Sequence, residues 1–289
     1  MAYEMIVLTN MLIAILFAQS LNLITGFCGQ VSLGHAAFLG IGAYTSAMLT
    51  KVGWPLAATF IPAMVIAGMI GMIVGAASLR VRHDFLAITT MGVSFLFTGI
   101  IRKQDMLGGE MGIAGIPAAY GGRVGLLLMT LCLTILFIII MIYVKRSWMG
   151  YVFESIAEDE DTAGVLGIDV RRFKLFAFVL GTAGAGLAGA LYAHQVRFIG
   201  PDSFGFVESV TVLSMVIVGG IGSIWGVTIA AALLSVMPQF FQVIDDYKLL
   251  VYGMLLFFAM RFMPDGLGGL TKRFRQNRNP DSSSERSQA

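Results

Sequence analysis

The chain has 289 residues, of which 57% are hydrophobic and 12% charged, and its mean hydropathy is +0.83. Water-soluble domains carry about 45–50% apolar and about 25% charged residues, so this composition excludes a soluble or disordered protein and indicates a protein embedded in lipid. The net charge of +2 excludes a nucleic-acid-binding domain. The two distant cysteines, Cys28 and Cys132, exclude a disulfide scaffold and a cysteine metal site.

Long apolar runs along the chain predict membrane-spanning helices, since about 20 such residues cover a bilayer core of about 30 Å. Nine runs are predicted as spans or re-entrant segments: Met5–Thr25, His35–Thr50, Ala57–Leu79, Phe85–Ile101, Val124–Val144, Leu175–His194, Phe206–Ile221, Ile224–Val243 and Leu249–Met263. The predicted fold is therefore an all-α, polytopic membrane helix bundle. Residues 1–271 form its transmembrane domain, and the polar residues 272–289 are predicted to be a disordered tail.

Lysines and arginines fall unevenly on the two sides of this nine-span arrangement. The side with the loop 145–174 receives twelve: Arg80, Arg82, Lys145, Arg146, Arg171, Arg172, Lys174, Lys272, Arg273, Arg275, Arg278 and Arg286. The other side receives six: Lys51, Arg102, Lys103, Arg123, Arg197 and Lys248. Because cytoplasmic loops are enriched in positive charge, the sequence predicts an external N-terminus and a cytoplasmic C-terminus.

The acidic residues avoid the middle of every predicted span, and Glu208 alone sits just inside the start of one. Carboxylates within spans are the usual mark of proton or sodium coupling, so an ion-coupled carrier is disfavoured. The chain contains no GxxxxGK[ST] phosphate loop, and its polar stretches are too short to form an attached ATPase or receptor domain. Energy for any transport would therefore come from another subunit.

The loop 145–174 is the most informative polar segment. Its first half predicts one short helix over Gly150–Gly167 that lies off the membrane, ended by Gly164 and Gly167. The spacing of Glu154, Glu158 and Asp161 places these three acids on one face of that helix. On charge alone, a solvated acidic linker is the favoured interpretation.

The second half of the same loop leads into the next span. Asp169 is the predicted N-cap of that helix. Three basic residues follow it at Arg171, Arg172 and Lys174, where the helix dipole disfavours positive charge. Contact with phospholipid headgroups is the predicted reason for them.

Small residues recur at every fourth position of this span: Ala177, Gly181, Ala185, Gly189 and Ala193. A ridge of small side chains lets another helix approach closely, which is how helices associate in lipid. Packing inside the bundle is the favoured interpretation, and an interface with another subunit is the alternative.

Two predicted spans, His35–Thr50 and Phe206–Ile221, are short and interrupted or flanked by glycines, which include Gly40 and Gly42. In transporters, paired interrupted helices in the two halves point to the solute path, because unwound backbone can face a polar cavity. The candidate path residues near these glycines are Asn22, Gln30, Ser32, His35, Gly219 and Gly220. Bonds between neighbouring helices are the alternative role for the polar side chains among them.

Several motifs together resemble a known family over about Asn22–Pro238. They are Asn22-Leu-Ile-Thr-Gly26, Gly29-Gln-Val-Ser-Leu-Gly34, Gly40-Ile-Gly-Ala-Tyr44, Ala185-Gly-Leu-Ala-Gly189 and Gly219-Gly-Ile-Gly-Ser223. In order and spacing they resemble the LivM-type permease subunits of ATP-binding-cassette importers for branched-chain amino acids. Members of that family also carry urea, short amides and other small solutes.

The resemblance implies an importer of the bacterial plasma (inner) membrane, built from two permease subunits, two ATPase subunits and an external solute-binding protein. ATP and Mg²⁺ are then held by the ATPases, and this chain binds no cofactor. The resemblance also makes the loop Tyr151–Gly167 the element that docks onto the ATPase. The implied coupling residues are Glu154, Ser155, Ala157, Glu158, Asp159, Glu160, Gly164 and Gly167.

Two other classes of protein remain as alternatives. An ion-coupled carrier or channel would need Glu208 or a histidine to carry protons. An intramembrane enzyme would need a nucleophile with a base or a metal, and the three histidines lack partners at ligand spacing, so no metal or catalytic site is predicted.

Overall fold

A computed structural model describes residues 2–78, 85–118 and 121–240, together with positions 250, 253, 254, 257, 261 and 266. Within these residues the chain is almost entirely helical. The predicted tail 272–289 lies outside the described residues, and the predicted ninth span, Leu249–Met263, lies outside the continuously described ranges.

The helices are α1 (Ala2–Leu21), α2 (His35–Lys51), α3 (Leu56–Ser78), α4 (Phe85–Lys103), α5 (Gly122–Arg146), α6 (Trp148–Glu158), α7 (Glu160–Val165), α8 (Val170–Val196), α9 (Phe206–Gly219) and α10 (Ile224–Phe240). A π-helical turn, Asn22–Phe27, continues α1. The strands β1 (Ile113–Ala114) and β2 (Phe198–Ile199) are two residues long and pair antiparallel.

Six helical segments among the described residues are long and apolar enough to cross a membrane: α1 with its π-helical turn, α3, α4, α5, α8 and the segment that contains α9. The helices α2 and α10 have 17 residues each and reach only about 26 Å. The predicted helical membrane fold is confirmed. Eight of the nine predicted spans coincide with described helices, although α8 begins five residues before the predicted Leu175.

Helix α8 is the centre of the bundle, and α1, α2 and α3 pack around it. Its small residues allow these contacts. A Cβ atom on Gly189 would overlap the backbone carbonyl of Leu39 in α2, and one on Gly186 would lie 2.6 Å from the Ala63 carbonyl of α3. A Cβ atom on Gly181 would lie 2.7 Å from the carbonyl of Ser20 in α1. The small-residue ridge therefore packs inside this chain, as the favoured interpretation predicts.

Helix α2 is continuous, so the prediction that Gly40 and Gly42 interrupt it is wrong. The unwound backbone precedes the helix, at residues 29–34. A Cβ atom on Gly42 would lie 2.5 Å from the Cα atom of Gly186, and one on Gly40 would lie 2.9 Å from the Phe204 ring. These two glycines serve close packing against neighbouring segments.

The two ends of α8 lie in different surroundings. At its C-terminal end, β2 pairs with β1, and the Arg102 guanidinium forms a 2.6 Å ion pair with Asp202. At its N-terminal end, α6 and α7 connect it to the end of α5. Because α8 has 27 residues and is about 40 Å long, α6 and α7 lie at the opposite end of the bundle from the β1–β2 pair.

Candidate functional site

Two interrupted regions of the structure lie in contact with each other, one just before the predicted span His35–Thr50 and one at the end of the predicted span Phe206–Ile221. The first is the π-helical turn Asn22–Phe27 with residues 29–34, and the second is the turn 220–223 between α9 and α10. The backbone N–H of Gly222 donates a 3.0 Å hydrogen bond to Oδ1 of Asn22. A Cβ atom on Gly26 would lie 2.6 Å from the Gly222 nitrogen, so this approach requires a residue without a side chain.

The glycines at the end of α9 shape this second turn. A Cβ atom on Gly219 would lie 2.5 Å from the Cα atom of Val227, so Gly219 lets α9 and α10 pack closely. Gly220 follows with a φ of 96°, a conformation that favours glycine. Both predicted path glycines therefore lie beside the contact between Asn22 and Gly222. Their role toward a solute stays a prediction.

A buried polar network extends this contact into α10. The Asn22 Nδ2 donates to Oε1 of Gln19 over 3.3 Å. In turn, the Gln19 Nε2 donates to the carbonyl of Ile224 at 2.7 Å and to the hydroxyl of Thr228 at 2.9 Å. Buried amide groups need such hydrogen-bond partners. The bonds from Gln19 connect α1 to the start of α10. Asn22 thus makes the inter-helix bonds that were the alternative role for the path candidates.

His35 begins α2 and lies in a pocket of aromatic and hydroxyl groups. The Ser20 hydroxyl donates to the carbonyl of Phe17, so its oxygen accepts the 2.8 Å hydrogen bond from Nε2 of His35. The Phe17 ring stacks on the imidazole with the ring centroids 5.2 Å apart. This arrangement places the imidazole proton on Nε2 and leaves Nδ1 as a hydrogen-bond acceptor.

Three buried polar atoms in the stretch from Gln30 to His35 have no hydrogen-bond partner among the described residues. They are Gln30 Oε1, Ser32 Oγ and His35 Nδ1. Two of these atoms can only accept a hydrogen bond: Gln30 Oε1 is an amide oxygen, and His35 Nδ1 is unprotonated because the imidazole proton is on Nε2. Buried unpaired acceptors are costly, and a ligand that carries N–H groups would satisfy them.

The predicted single helix over Gly150–Gly167 is wrong, because the chain breaks at Asp159 into α6 and α7. Asp159 has an extended backbone, and its Oδ1 accepts a 2.9 Å hydrogen bond from the backbone N–H of Thr162. An aspartate in this position caps a new helix and ends the preceding one. Consequently Asp161 belongs to α7 and does not share one helical face with Glu154 and Glu158.

The cap at Asp159 depends on its negative charge. Hydrogen bonds from the backbone N–H and the side chain of Thr162 keep the pKa of Asp159 below its ordinary value. A carboxylate whose pKa is lowered in the folded state stabilises the fold at pH values above the pKa that it has in the unfolded chain. This contribution is lost as the pH falls through the lowered pKa. The break between α6 and α7 is therefore maintained at neutral pH and weakens only in acid.

The helices α6 and α7 bury one side and expose the other. Val152, Phe153, Ile156 and Ala163 are buried against the bundle. The opposite surface carries acidic and large apolar side chains, and we call it the loop surface; it comprises Trp148, Tyr151, Glu154, Glu158, Asp161, Val165 and Leu166. Gly164 and Gly167 are exposed beside it. An exposed apolar patch with charges at its edge is typical of a protein interface.

The interrupted region before α2 packs directly on α6. A Cβ atom on Gly29 would lie 3.2 Å from the Cα atom of Ala157, and Gly29 has a φ of 70°, in the left-handed region. Next to it, the Gln30 Nε2 donates a 3.0 Å hydrogen bond to the carbonyl of Lys174 in α8. The ammonium group of Lys174 forms an ion pair with Glu160 of α7.

The second interrupted region is attached to the end of α5. The Lys145 ammonium donates to the carbonyl of Gly222 and lies 5.3 Å from the centroid of the Phe27 ring. Each interrupted region is thus bonded to a lysine at one boundary of the loop 145–174. Neither role was predicted from the sequence, where Lys145 counted only as a cytoplasmic charge and Lys174 was also predicted to contact phospholipid.

The prediction that Lys174 contacts phospholipid is wrong. Lys174 is only 6% exposed, and Glu160 provides its counter-charge inside the protein. The exposed Arg172 pairs with Asp169 at 2.8 Å, and Asp169 also caps α8 as predicted, through the backbone N–H of Arg172. Acidic residues of this chain therefore provide the counter-charge for Lys174 and Arg172.

Replacing Asn22 with alanine is expected to destabilise the protein by about 1–3 kcal/mol, because the half-buried Gly222 N–H loses its acceptor and the hydrogen bonds of the buried Asn22 amide are lost. Thermal unfolding of the purified chain in detergent measures this. Asn10 is a half-buried asparagine earlier on α1, and Asn10→Ala is the matched control, with an expected change below about 0.5 kcal/mol. Equal melting temperatures for the two variants would contradict the assigned role of Asn22.

The architecture and the site define a class of protein, a polytopic helical membrane permease. Six helical segments in the described part of the chain are long and apolar enough to cross a membrane, two interrupted regions contact each other through Asn22 and Gly222, and a polar loop presents an interface-like surface at one end. A family model described as the branched-chain amino acid transport system, permease component, matches residues 4–260. The chain belongs to this family.

Individual relatives agree with this assignment. LivM, a high-affinity branched-chain amino acid transport system permease protein of Escherichia coli, is 32% identical over 91% of this chain and 69% of its own length. LivH of the same organism is also described as a high-affinity branched-chain amino acid transport system permease protein. It is 27% identical over 88% of this chain and 90% of its own length. BraD of Pseudomonas aeruginosa is 25% identical over 88% of this chain and 91% of BraD. No solved structure gives a significant match.

Proposed function

We propose that this chain forms half of the translocation path of an ATP-driven importer for branched-chain amino acids. A second, related permease supplies the other half, an external solute-binding protein delivers the solute, and two ATPase subunits hold ATP and Mg²⁺. The relatives support the substrate and the second permease, since LivM and LivH carry the name of one transport system. The chain is proposed to lie in the bacterial inner membrane with its N-terminus outside and its loop 145–174 in the cytoplasm.

The observation that carries the proposal is the direct connection of α6 and α7, which bear the loop surface, to the interrupted region before α2. Gly29 packs on Ala157 of α6, and Glu160 of α7 is linked through Lys174 to Gln30. A partner that moves α6 and α7 therefore displaces residues 29–34 without any intervening flexible segment. Packed elements of this kind transmit movement because they switch between discrete arrangements.

The loop surface supports docking of an ATPase. Its exposed apolar side chains, which include Val165 and Leu166, would be buried by a partner, and its acids Glu154 and Glu158 would attract basic groups. The remaining proposed coupling residues lie at the same end of the bundle: Ser155, Ala157, Asp159, Glu160, Gly164 and Gly167. Asp159 and Glu160 act in this scheme by shaping α7 and holding it to α8.

The unpaired acceptors before α2 support a solute that carries N–H groups. Gln30 Oε1 and His35 Nδ1 both lack a donor among the described residues. The ammonium group of an amino acid supplies three donors and a positive charge, and hydrogen bonds from a charged donor are about twice as strong as those from the neutral N–H groups of urea and short amides. A zwitterionic solute is therefore preferred over the amides that other members of the family carry.

The test is uptake of radiolabelled leucine into vesicles that contain all the subunits. We expect accumulation that requires ATP, survives an uncoupler, and is inhibited by excess isoleucine or valine and not by urea or acetamide. Uptake that persists without ATP and collapses with the uncoupler would reject the ATP-driven mechanism. In that case Glu208→Gln should abolish accumulation, as expected for an ion-coupled carrier.

Charge reversal on the loop surface is expected to weaken ATPase binding. The double variant Glu154→Lys/Glu158→Lys should insert normally but retain the ATPase at least about tenfold less tightly, because two attractive charges become repulsive. Co-purification of the ATPase with the permease measures the effect. Asp105→Lys/Glu110→Lys, an equal charge change at the exposed opposite end, is the control and should leave ATPase binding unchanged. Wild-type ATPase binding by the first variant would argue against docking at this surface.

A further inference from the structure

A cavity of about 180 Å³ lies at the end of the bundle away from the loop surface. It is formed where the start of α1, the start of α5 and the end of α8 meet. Its lining combines the apolar side chains of Ile6 and Leu126 with Arg123, Arg197 and His194, and includes no acidic residue. Neither the family assignment nor the proposed transport path gives this cavity a role.

The two arginines of the cavity lack acidic partners. Among the described residues, neither Arg123 nor Arg197 has a carboxylate within ion-pair distance, whereas Arg102 and Arg172 each have one. Both arginines are exposed, so their guanidinium groups are open to an anion from outside the protein. Guanidinium groups match the geometry of phosphate and carboxylate oxygens, which they bind through paired hydrogen bonds.

Arg197 also has an unfavourable backbone conformation. Its φ of 60° is left-handed, and no other non-glycine residue in the described ranges has a positive φ. Its backbone N–H donates to the carbonyl of Ala193 and ends α8, a task that glycine or asparagine performs without this strain. Arg197 thus occupies a strained position beside the cavity, where glycine would fit without strain. We infer that its guanidinium group is needed for a function of the cavity.

His194 adds a hydrogen-bond acceptor beside the arginines. Its ring is buried, at 2% exposure, and its Nδ1 donates a 2.8 Å hydrogen bond to the carbonyl of Ala190. The neutral ring therefore carries an unprotonated Nε2, which has no partner among the described residues. A ligand that suits this cavity has an anionic group for the two arginines and an N–H or O–H donor for His194.

The surroundings of the cavity favour a lipid as the source of this ligand. Leu8 of α1 and Leu128 of α5, which lie close along their helices to the lining residues Ile6 and Leu126, are both exposed. In a protein of this class such exposed apolar side chains face the hydrocarbon of the bilayer. The cavity therefore lies where lipid-facing surface gives way to the polar end of the bundle, at the level of phospholipid headgroups.

We propose that this cavity binds the headgroup of phosphatidylethanolamine. The phosphate lies between Arg123 and Arg197, and the ammonium group donates to Nε2 of His194. Phosphatidylcholine has the same phosphate but no N–H group, so it satisfies the arginines and not the histidine. The site is independent of the transported solute and of the ATPase.

Titration of the full chain with phospholipid, followed by native mass spectrometry, tests the proposal. The wild type should bind phosphatidylethanolamine more tightly than phosphatidylcholine. Arg197→Asn should raise the Kd for phosphatidylethanolamine at least about tenfold, the loss expected for one charge-assisted hydrogen-bonded contact. Because asparagine tolerates a left-handed conformation, this variant should melt at or above the wild-type temperature, which separates loss of binding from loss of fold.

Two further variants and one soluble competitor complete the experiment. Lys103→Gln, which removes an exposed charge at the same end of the bundle, should leave the Kd unchanged. His194→Phe should abolish the preference for phosphatidylethanolamine over phosphatidylcholine. Soluble phosphoethanolamine should not compete at concentrations near the lipid Kd.

A wild-type Kd in Arg197→Asn would overturn the proposal, and so would equal binding of the two lipids by the wild type. Competition by phosphoethanolamine at equal affinity would assign the site to a dissolved phosphate ester and reject the lipid.

Discussion

Gly189→Ala is expected to destabilise the protein by about 3 kcal/mol, although alanine is the better helix former. The added Cβ atom would overlap the carbonyl of Leu39 and lie 2.9 Å from the backbone nitrogen of Ala43. Both are backbone atoms of α2, so no side-chain rotation relieves the overlap, and α2 must move away from α8. Thermal unfolding of the purified chain in detergent or nanodiscs measures the loss.

Gly92→Ala is the matched control for this prediction. Gly92 lies inside α4, and among the described residues a Cβ atom there would meet no neighbouring segment within 4 Å. Alanine at this position should leave the stability unchanged or raise it by about 1 kcal/mol, the ordinary difference in helix propensity. If both variants melted at the same temperature, the close contact between α8 and α2 would be disproved.

Lys174→Met is expected to release α7 from α8 and to raise amide hydrogen exchange in α7 about a hundredfold. Removing one partner of a buried ion pair costs about 3–5 kcal/mol, and the lower end applies here because the Glu160 side chain keeps 21% of its surface exposed. A cost of about 3 kcal/mol corresponds to roughly two powers of ten in a local opening equilibrium. In the assembled importer, the same variant should lower solute-stimulated ATP hydrolysis.

Two further variants test whether the ion pair itself is responsible. Arg172→Gln removes a pair in which the side chains of Arg172 and Asp169 are 87% and 49% exposed, and it should cost less than about 1 kcal/mol. Lys174→Met/Glu160→Leu replaces the buried pair with apolar groups and should restore most of the protection of α7. Unchanged exchange in Lys174→Met would show that α7 is held to α8 by other contacts.

The helical framework was predictable because it depends on local information. A run of about 20 apolar residues has to be helical in lipid, since every backbone group must find a partner within the segment. The predicted span Ala57–Leu79 accordingly begins one residue after α3, Leu56–Ser78, and is helical throughout its described part. Helix α8 extends further than predicted because Arg171, Arg172 and Lys174 continue the helix beyond its apolar part.

The parts that could not be predicted depend on contacts between distant residues. Nothing near Lys174 in the sequence shows that its charge is buried against Glu160, because the break at Asp159 has to turn α7 back toward α8 first. The same holds for Asn22 and Gly222, which are 200 residues apart. Glycine patterns alone also misassigned Gly40 and Gly42, since a glycine serves equally well to unwind a helix or to let two helices touch.

The central position of α8 also has a consequence for biogenesis. Its middle is rich in glycine and alanine, so it offers the translocon less apolar surface than the leucine- and isoleucine-rich α5. All three helices that enclose it, α1, α2 and α3, are synthesised before it and can already be in the membrane when α8 leaves the ribosome. Nascent chains without α1–α3 should therefore integrate α8 poorly while still integrating α5.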